Sequence, residues 1–213
     1  MKTEALVLHS LRYGDASRIV HIYTASVGMV AFMVRGGGGR GRGVQAALLQ
    51  PLTLVEIDFD HRPNKNLQSL RDVQLLTPYA SLPFDMRKRA IAMFLAEVLH
   101  PVLRGEPGNE ALFAFVSSSL RWLDLAEERY ANFHLIFLLQ LTRHLGFYPE
   151  HHALAEAYHL PVLLRLNYRS MHLLRLTREQ RSRFLDTLLD FYADNVPAFP
   201  EILSAEVLHE VLS

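Results

Sequence analysis

The chain reads as an α+β protein, a small all-β domain followed by an all-helical one. Two observations predict this. Apolar residues recur at every second position through the first 77 residues, and at a spacing of 3.6 beyond them. Pro78 and the stretch Ser81-Leu82-Pro83 fall where the period changes. The reading gives one domain over 1–78 and a second over 79–213, and a chain of this length can give each a core of its own.

In the first half, Thr3 to Arg12 is a strand, and Tyr13-Gly14-Asp15-Ala16 is a turn with glycine and aspartate supplying its chemistry. Ser17 to Thr24 is rich in β-branched and aromatic residues. Val27 to Arg35 is apolar on both faces, which predicts a central strand. Leu52 to Arg62 alternates, with Val55, Ile57 and Phe59 on one side and Glu56, Asp58 and Asp60 on the other. A basic turn, His61 to Lys65, leads to a fifth strand over Leu67 to Thr77. Five short strands suit a small barrel. The partly open barrel that binds oligonucleotides and the SH3-like barrel share this signature.

In the second half, one apolar stripe runs through Ile91, Phe94, Leu95, Val98, Leu99, Val102 and Leu103, with Ser81 or Asp85 near its start. Asn109 caps a second helix carrying Leu112, Phe115, Val116, Leu120 and Leu123. Asn132 to Leu145 is apolar nearly all round, as expected of a helix in the middle of a bundle, and Gly146 ends it. Pro149 to Leu176 reads as a short helix and loops. Thr177-Arg178-Glu179-Gln180 is a capping box opening a fourth helix. Pro200 opens a fifth, with Leu203, Val207 and Val211 turned inward.

The nine residues Arg35 to Gly43 are only glycine and arginine. Glycines let the backbone bend and leave its N–H groups open to anions, and guanidinium groups are permanently charged forks shaped for phosphate. The chain carries no net charge, yet its halves differ. Residues 1–78 hold nine Lys/Arg against six Asp/Glu, and residues 79–213 thirteen against sixteen. The positive field therefore lies on the half with the Gly/Arg run. Arg35, Arg40 and Arg42 are candidate phosphate contacts. Arg12, Arg18, Arg62 and Lys65, at or near strand ends, extend them into one basic track, and Tyr13 is a candidate platform on which a base stacks. Arg87-Lys88-Arg89 opens a helix, where the dipole disfavours cations, and is a candidate docking point for DNA or an acidic peptide.

Catalytic and metal chemistry find little support. There is no cysteine, hence no disulfide, thiolate ligand or thiol nucleophile. No phosphate-binding P-loop, nucleophile elbow or dinucleotide fingerprint occurs. His151, His152, His159 and His172 lack metal-ligand spacing, so no metal or other cofactor is expected. Without a secretory signal or an apolar run long enough to span a bilayer, the expectation is a cytoplasmic, non-enzymatic protein.

Several stretches, in order, resemble the RecO family of bacterial recombination mediators. They are Glu4 to Leu8 running into Tyr13-Gly14-Asp15-Ala16-Ser17-Arg18-Ile19-Val20; Tyr23-Thr24 with Gly28; Leu49-Gln50-Pro51-Leu52; Ala96 to Leu99; Asn132 to Leu135; and Leu145 to Pro149. The resemblance implies an OB-fold followed by a helical domain. It implies binding of single- and double-stranded DNA and annealing of complementary strands. It also implies partnership with RecR, loading of RecA onto DNA coated by the single-strand binding protein SSB, and a place at the nucleoid. The helical domain would receive the acidic, apolar-tipped SSB tail. Arg121 and Arg143, beside apolar stripes, are candidates for its basic rim with Arg87, Lys88 and Arg89. Some members of the family carry a cysteine zinc site, which this cysteine-free chain lacks. The alternatives are an OB-fold RNA-handling module and a pure protein adaptor.

Overall fold

A computed structural model describes residues 1–14, 17–35, 47–149, 163 and 165–212. The strands are β1 (Lys2–Tyr13), β2 (Ser17–Thr24), β3 (Gly28–Arg35), β4 (Leu54–Phe59), β5 (Leu67–Gln68) and β6 (Leu70–Leu75). The helices are α1 (Met86–Val102), α2 (Glu110–Leu125), α3 (Phe133–Leu145), α4 (Arg178–Asn195) and α5 (Ser204–Val211), with a 3-10 turn over Met171–Leu173. The protein is α+β, as its hydrophobic periods predict.

The sheet order is β5-β3-β2-β1-β4-β6. The fifth predicted strand is two short ones. Leu67–Gln68 pairs in parallel with Ala31–Phe32 at one edge, and Leu70–Leu75 pairs antiparallel with β4 at the other. Only Ser69 separates them, so the chain passes from one edge of the sheet to the other and curls it into a partly open barrel of the OB type. The interior holds Ala5, Val7, Val20, Ile22, Phe32, Val55, Ile57 and Phe59, with the Phe32 and Phe59 rings edge to face at 5.0 Å. The strands at the centre are β2 and β1, with β3 one place out from β2. Ala5 to Leu8 of β1 are all buried, whereas β3 meets β5 over two residues only.

Two compact units divide the chain. The first is Met1–Tyr79 with Ala96–Ser117, and the second is Ala80–Leu95 with Ser118–Ser213. In the first, the segment after α1 lies on the β2–β3 turn, backbone against backbone. A Cβ on Gly28 or on Gly108 would stand 2.1 Å from the Glu106 or the Ser26 carbonyl oxygen, respectively. The Leu49 to Leu52 stretch is pinned to β1. Leu52 donates its N–H to the Val7 carbonyl at 2.7 Å and accepts from the Tyr79 hydroxyl at 2.8 Å. These bonds hold a buried leucine at φ 62°, a costly conformation that persists only when its surroundings over-determine it.

In the second unit α3 is buried nearly all round. Phe133, Trp122 and Tyr168 form a three-ring cluster with centres 4.7 to 5.8 Å apart, and the Tyr168 hydroxyl meets the Ser119 hydroxyl at 2.7 Å. Asn109, Thr177 and Gly146 cap the helices where predicted, Asn109 through a 3.0 Å bond from the Leu112 N–H. Helix α5 departs from expectation. It begins at Ser204 instead of Pro200, and its inward stripe is Ala205, Leu208 and Leu212. Leu203 and Val207 are exposed, because the helix packs on the face that carries Ala205, Leu208 and Leu212, spaced three and four residues apart.

Candidate nucleic-acid interface

The register of the first three strands gathers part of the predicted basic set. Arg12 pairs directly with Arg18 across β1 and β2, Tyr13 pairs with Ser17, and Ser17 pairs in turn with the backbone of Arg35. A bulge between Val7 and His9 turns Arg12 to the same side as the core-facing residues, beyond the last of them. Cross-strand neighbours stand about 5 Å apart at Cβ, and like charges placed so are destabilising unless something screens them. Among the described residues neither guanidinium has a carboxylate partner. Tyr13 beside them is 55 % exposed. Strand β3 ends at this side, at Arg35, the first residue of the Gly/Arg run. Arg40 and Arg42 lie outside the described residues, as do His151, His152 and His159.

Arg62 and Lys65 form a separate group. They share one turn, closed by the Lys65 N–H on the Arg62 carbonyl at 2.9 Å. This turn precedes Leu67, which aligns with Ala31, so it flanks the beginning of β3 while Arg35 ends it. The two groups are roughly 15–20 Å apart along the strand. The Arg62 guanidinium is engaged by Asp60 at 3.1 Å, and Arg71 approaches the same carboxylate at 3.7 Å. The Arg62 hydrogen bond, then the Arg71 charge, hold the Asp60 carboxyl below its ordinary range. Gln68, which sequence reading did not single out, builds the turn. Its buried amide accepts from the Arg62 N–H at 3.1 Å and donates to the carbonyls of Arg62 and Lys65 at 2.8 and 2.7 Å. A glutamine in an apolar–polar alternation gives no sign of such a role.

The helical candidates fall into three kinds. Arg87 and Arg89 are exposed at the start of α1, next to Phe84, which is 81 % exposed, and to the exposed Met86 and Met93. Asp85 answers the adverse dipole. Its carboxylate accepts the N–H groups of Arg87 and Lys88 at 2.8 and 3.0 Å. The backbone bond from Lys88 is the main cause of its lowered pKa, against the cost of burial. Lys88 is a correction. It is 3 % exposed, and its ammonium donates to the Ser81 hydroxyl at 2.6 Å and the Asp124 carbonyl at 2.8 Å, 5.4 Å from the Tyr130 ring centre. It faces inward because helix spacing sets it with Ile91 and Leu95 rather than with its basic neighbours. Arg121 is half-buried with its Nε unbonded, and Arg143 lies over the Tyr148 ring at 5.1 Å. A cavity of about 510 Å³ between α4 and α5 is walled by Asp186, Asp190, Glu201 and Glu206, the wrong charge for phosphate. Among the described residues no group of three His, Asp or Glu side chains has metal-site geometry, and no helix is long and apolar enough to cross a membrane.

Comparison with known proteins now bears on this architecture. Residues 1–79 match the family described as "Recombination protein O N terminal", and residues 83–158 match "Recombination protein O C terminal". A DNA repair protein RecO of Phocaeicola vulgatus is 38 % identical over 238 residues, covering 100 % of this chain and 99 % of its own. That of Bacteroides fragilis is 37 % identical, covering 99 % and 98 %, and that of Flavobacterium psychrophilum 33 %, covering 100 % and 99 %. Both halves and the full span agree, and the chain belongs to the RecO family of DNA repair proteins.

Proposed function

We propose that the chain binds single- and double-stranded DNA through its barrel, anneals complementary strands without a catalytic step, and helps RecR load RecA onto DNA coated by SSB. The division of labour follows the two hydrophobic periods, with 1–78 contacting DNA and 79–213 receiving protein partners. The observation that carries the reading is the Arg12–Arg18 register pair, two arginines directly opposite each other with no carboxylate partner among the described residues. They lie beside an exposed tyrosine, with Arg18 on the strand that pairs with the one ending at Arg35, where the Gly/Arg run begins. Phosphates are the ligand that relieves such a juxtaposition. Contacts to phosphate leave base edges free, which annealing requires. Arg62 and Lys65, at the other end of β3, lengthen the contact, and Tyr13 supplies stacking worth about 1–3 kcal/mol per base. The SSB tail, acidic with an apolar tip, suits the exposed Phe84, Met86 and Met93 with Arg87 and Arg89. Arg121 and Arg143 are weaker candidates for the same rim. We assign the protein to the cytoplasm, at the nucleoid, where these partners act.

The test is single-strand binding across a salt series, followed by fluorescence annealing of complementary oligonucleotides with and without SSB. Replacing both Arg12 and Arg18 by alanine is expected to lower the slope of log affinity against log salt by about 1.4, two phosphates' worth for a single strand. Replacing Arg35, Arg40 and Arg42 together is expected to lower it by about 2. Unchanged slopes in both variants refute the interface. Preference for RNA over DNA of the same sequence would favour an RNA-handling role instead.

A further inference from the structure

Three histidines outside the proposed DNA contacts meet in the first compact unit. His9 on β1 and His21 on β2 are register partners, and His100 stands in the last turn of α1. Val20 and Ile22 point into the barrel, so His21 between them points out, toward the helix. The His21 and His100 rings meet edge to edge, their centres 4.8 Å and their planes 17° apart, and the His21 Nδ1 lies 2.5 Å from the His100 Nε2. His9 closes the group, 5.0 Å from His100 and 6.1 Å from His21 between ring centres.

We infer that this triad is a proton-operated latch, holding the end of α1 on the outer face of the sheet and letting go when the rings take up charge. The short contact is a hydrogen bond only while one of the two facing nitrogens carries no hydrogen. An imidazolium donates from both nitrogens and accepts at neither, so charging both rings sets N–H against N–H and cation against cation. The charged groups acting on His21 and His100 all oppose protonation. They are His9 and Arg104 for His21, and His21, His9 and Arg104 for His100. Glu97, one turn earlier on α1, is the carboxylate closest along the helix. Burial is the main cause of lowered proton affinity in both rings, followed by charge from the other histidines, and His100 is brought down to about 4. The two facing nitrogens stand 2.5 Å apart, closer than two ring nitrogens each about 2.0–2.1 Å from one metal ion would sit, so a proton suits the pair and a metal ion does not.

The sign follows from linkage. Release frees His21 and His100 to ordinary values near 6.5, while docking lowers both, His100 to about 4. Docking is therefore fully favoured above pH 6.5 and weakens progressively as pH falls toward 4. Half of the site faces water, so the opening equilibrium is expected to rise roughly ten-fold between pH 7.5 and 5.

The experiment is NMR on the full chain, recording imidazole carbon-bound protons and backbone amide exchange through pH 7.5 to 4.5, with exchange corrected for its intrinsic pH dependence. The expected result is that His21 and His100 titrate together, well below the ordinary range, and that residues 96–102 lose protection over the same interval. His100→Gln and His21→Gln should make that protection independent of pH. If the wild-type rings titrate separately near pH 6.5, or if protection of 96–102 stays constant while they charge, the latch does not exist. The wild-type titration decides the matter even if a variant does not fold.

Discussion

Lys88 and Asp124 show how one residue's surroundings override its type. The Asp124 carboxylate accepts three successive N–H groups, from Ala80, Ser81 and Leu82, at 2.8, 2.8 and 2.7 Å. Burial pushes its pKa up, but these donors and the Lys88 charge outweigh burial and hold it below the ordinary aspartate value. Asp124→Asn keeps the shape, puts an amide where three donors converge, and leaves the Lys88 ammonium buried beside a neutral group. It is expected to cost about 3 kcal/mol in urea unfolding. Lys88→Met, which removes the buried charge and keeps the volume, should cost less, because its partners are a hydroxyl and a carbonyl. The reverse ranking would show that the cation, not the carboxylate, organises this corner. Asp85 is lowered as well. For both aspartates the contribution is complete above pH about 3.9 and disappears as pH falls through their lower folded values. Asp124→Asn should therefore flatten the acid end of the stability curve. Nothing in a basic triplet distinguishes its buried member from its exposed ones. That distinction came from packing, which is also why Arg12 and Arg18 were found as residues but not as a pair.

At the scale of elements, what was readable was what local chemistry decides. Strand β2 spans Ser17–Thr24 as its β-branched run predicts, and the caps at Asn109, Thr177 and Gly146 fall in place because each satisfies backbone groups a few residues away. What was not readable depends on distant partners. The division of the last strand at Ser69 follows from β3 and β4 pairing with its two ends, and the buried face of α5 is the one that packs, through Ala205 and Leu208. Two glycines separate local from distant causes. Gly146 ends α3 at φ 79° with open space around its missing Cβ, so Gly146→Ala meets only backbone strain, about 1 kcal/mol. At Gly108 a Cβ would lie 2.1 Å from the Ser26 carbonyl oxygen and 2.2 Å from its carbon, and backbone cannot step aside as a side chain can. Gly108→Ala is expected to cost about 3 kcal/mol or more and to expose the β2–β3 turn to proteolysis. Equal effects in thermal unfolding would mean that this close approach does not exist in solution.

For the whole molecule, the change of hydrophobic period near Pro78 and the limits of the compact units do not coincide. The first unit takes in Ala96–Ser117 as well as Met1–Tyr79. Those added residues bring His100 to His21 and lay Glu106 and Pro107 against Gly28 and the Tyr23 hydroxyl. Burial pushes the Tyr23 phenol up to about 12, with Glu106 adding to the shift, as fits a side chain enclosed from both sides. Periodicity sees a strand or a helix one at a time, and a helix whose two ends serve different cores keeps one unbroken stripe. A fragment of residues 1–79 should therefore be an incomplete unit. It would keep the barrel interior but expose Leu6, Leu8 and Tyr23, which are buried in the full chain. Such a fragment is expected to bind hydrophobic dyes and to lose cooperative unfolding, as a collapsed state without fixed packing does. Extending it to residue 117 restores the missing cover, and cooperativity with it, although the added helices expose apolar faces of their own. If 1–79 unfolds in one sharp transition at a midpoint close to that of the intact protein, the barrel is self-sufficient and the helical segment is an ornament on its surface.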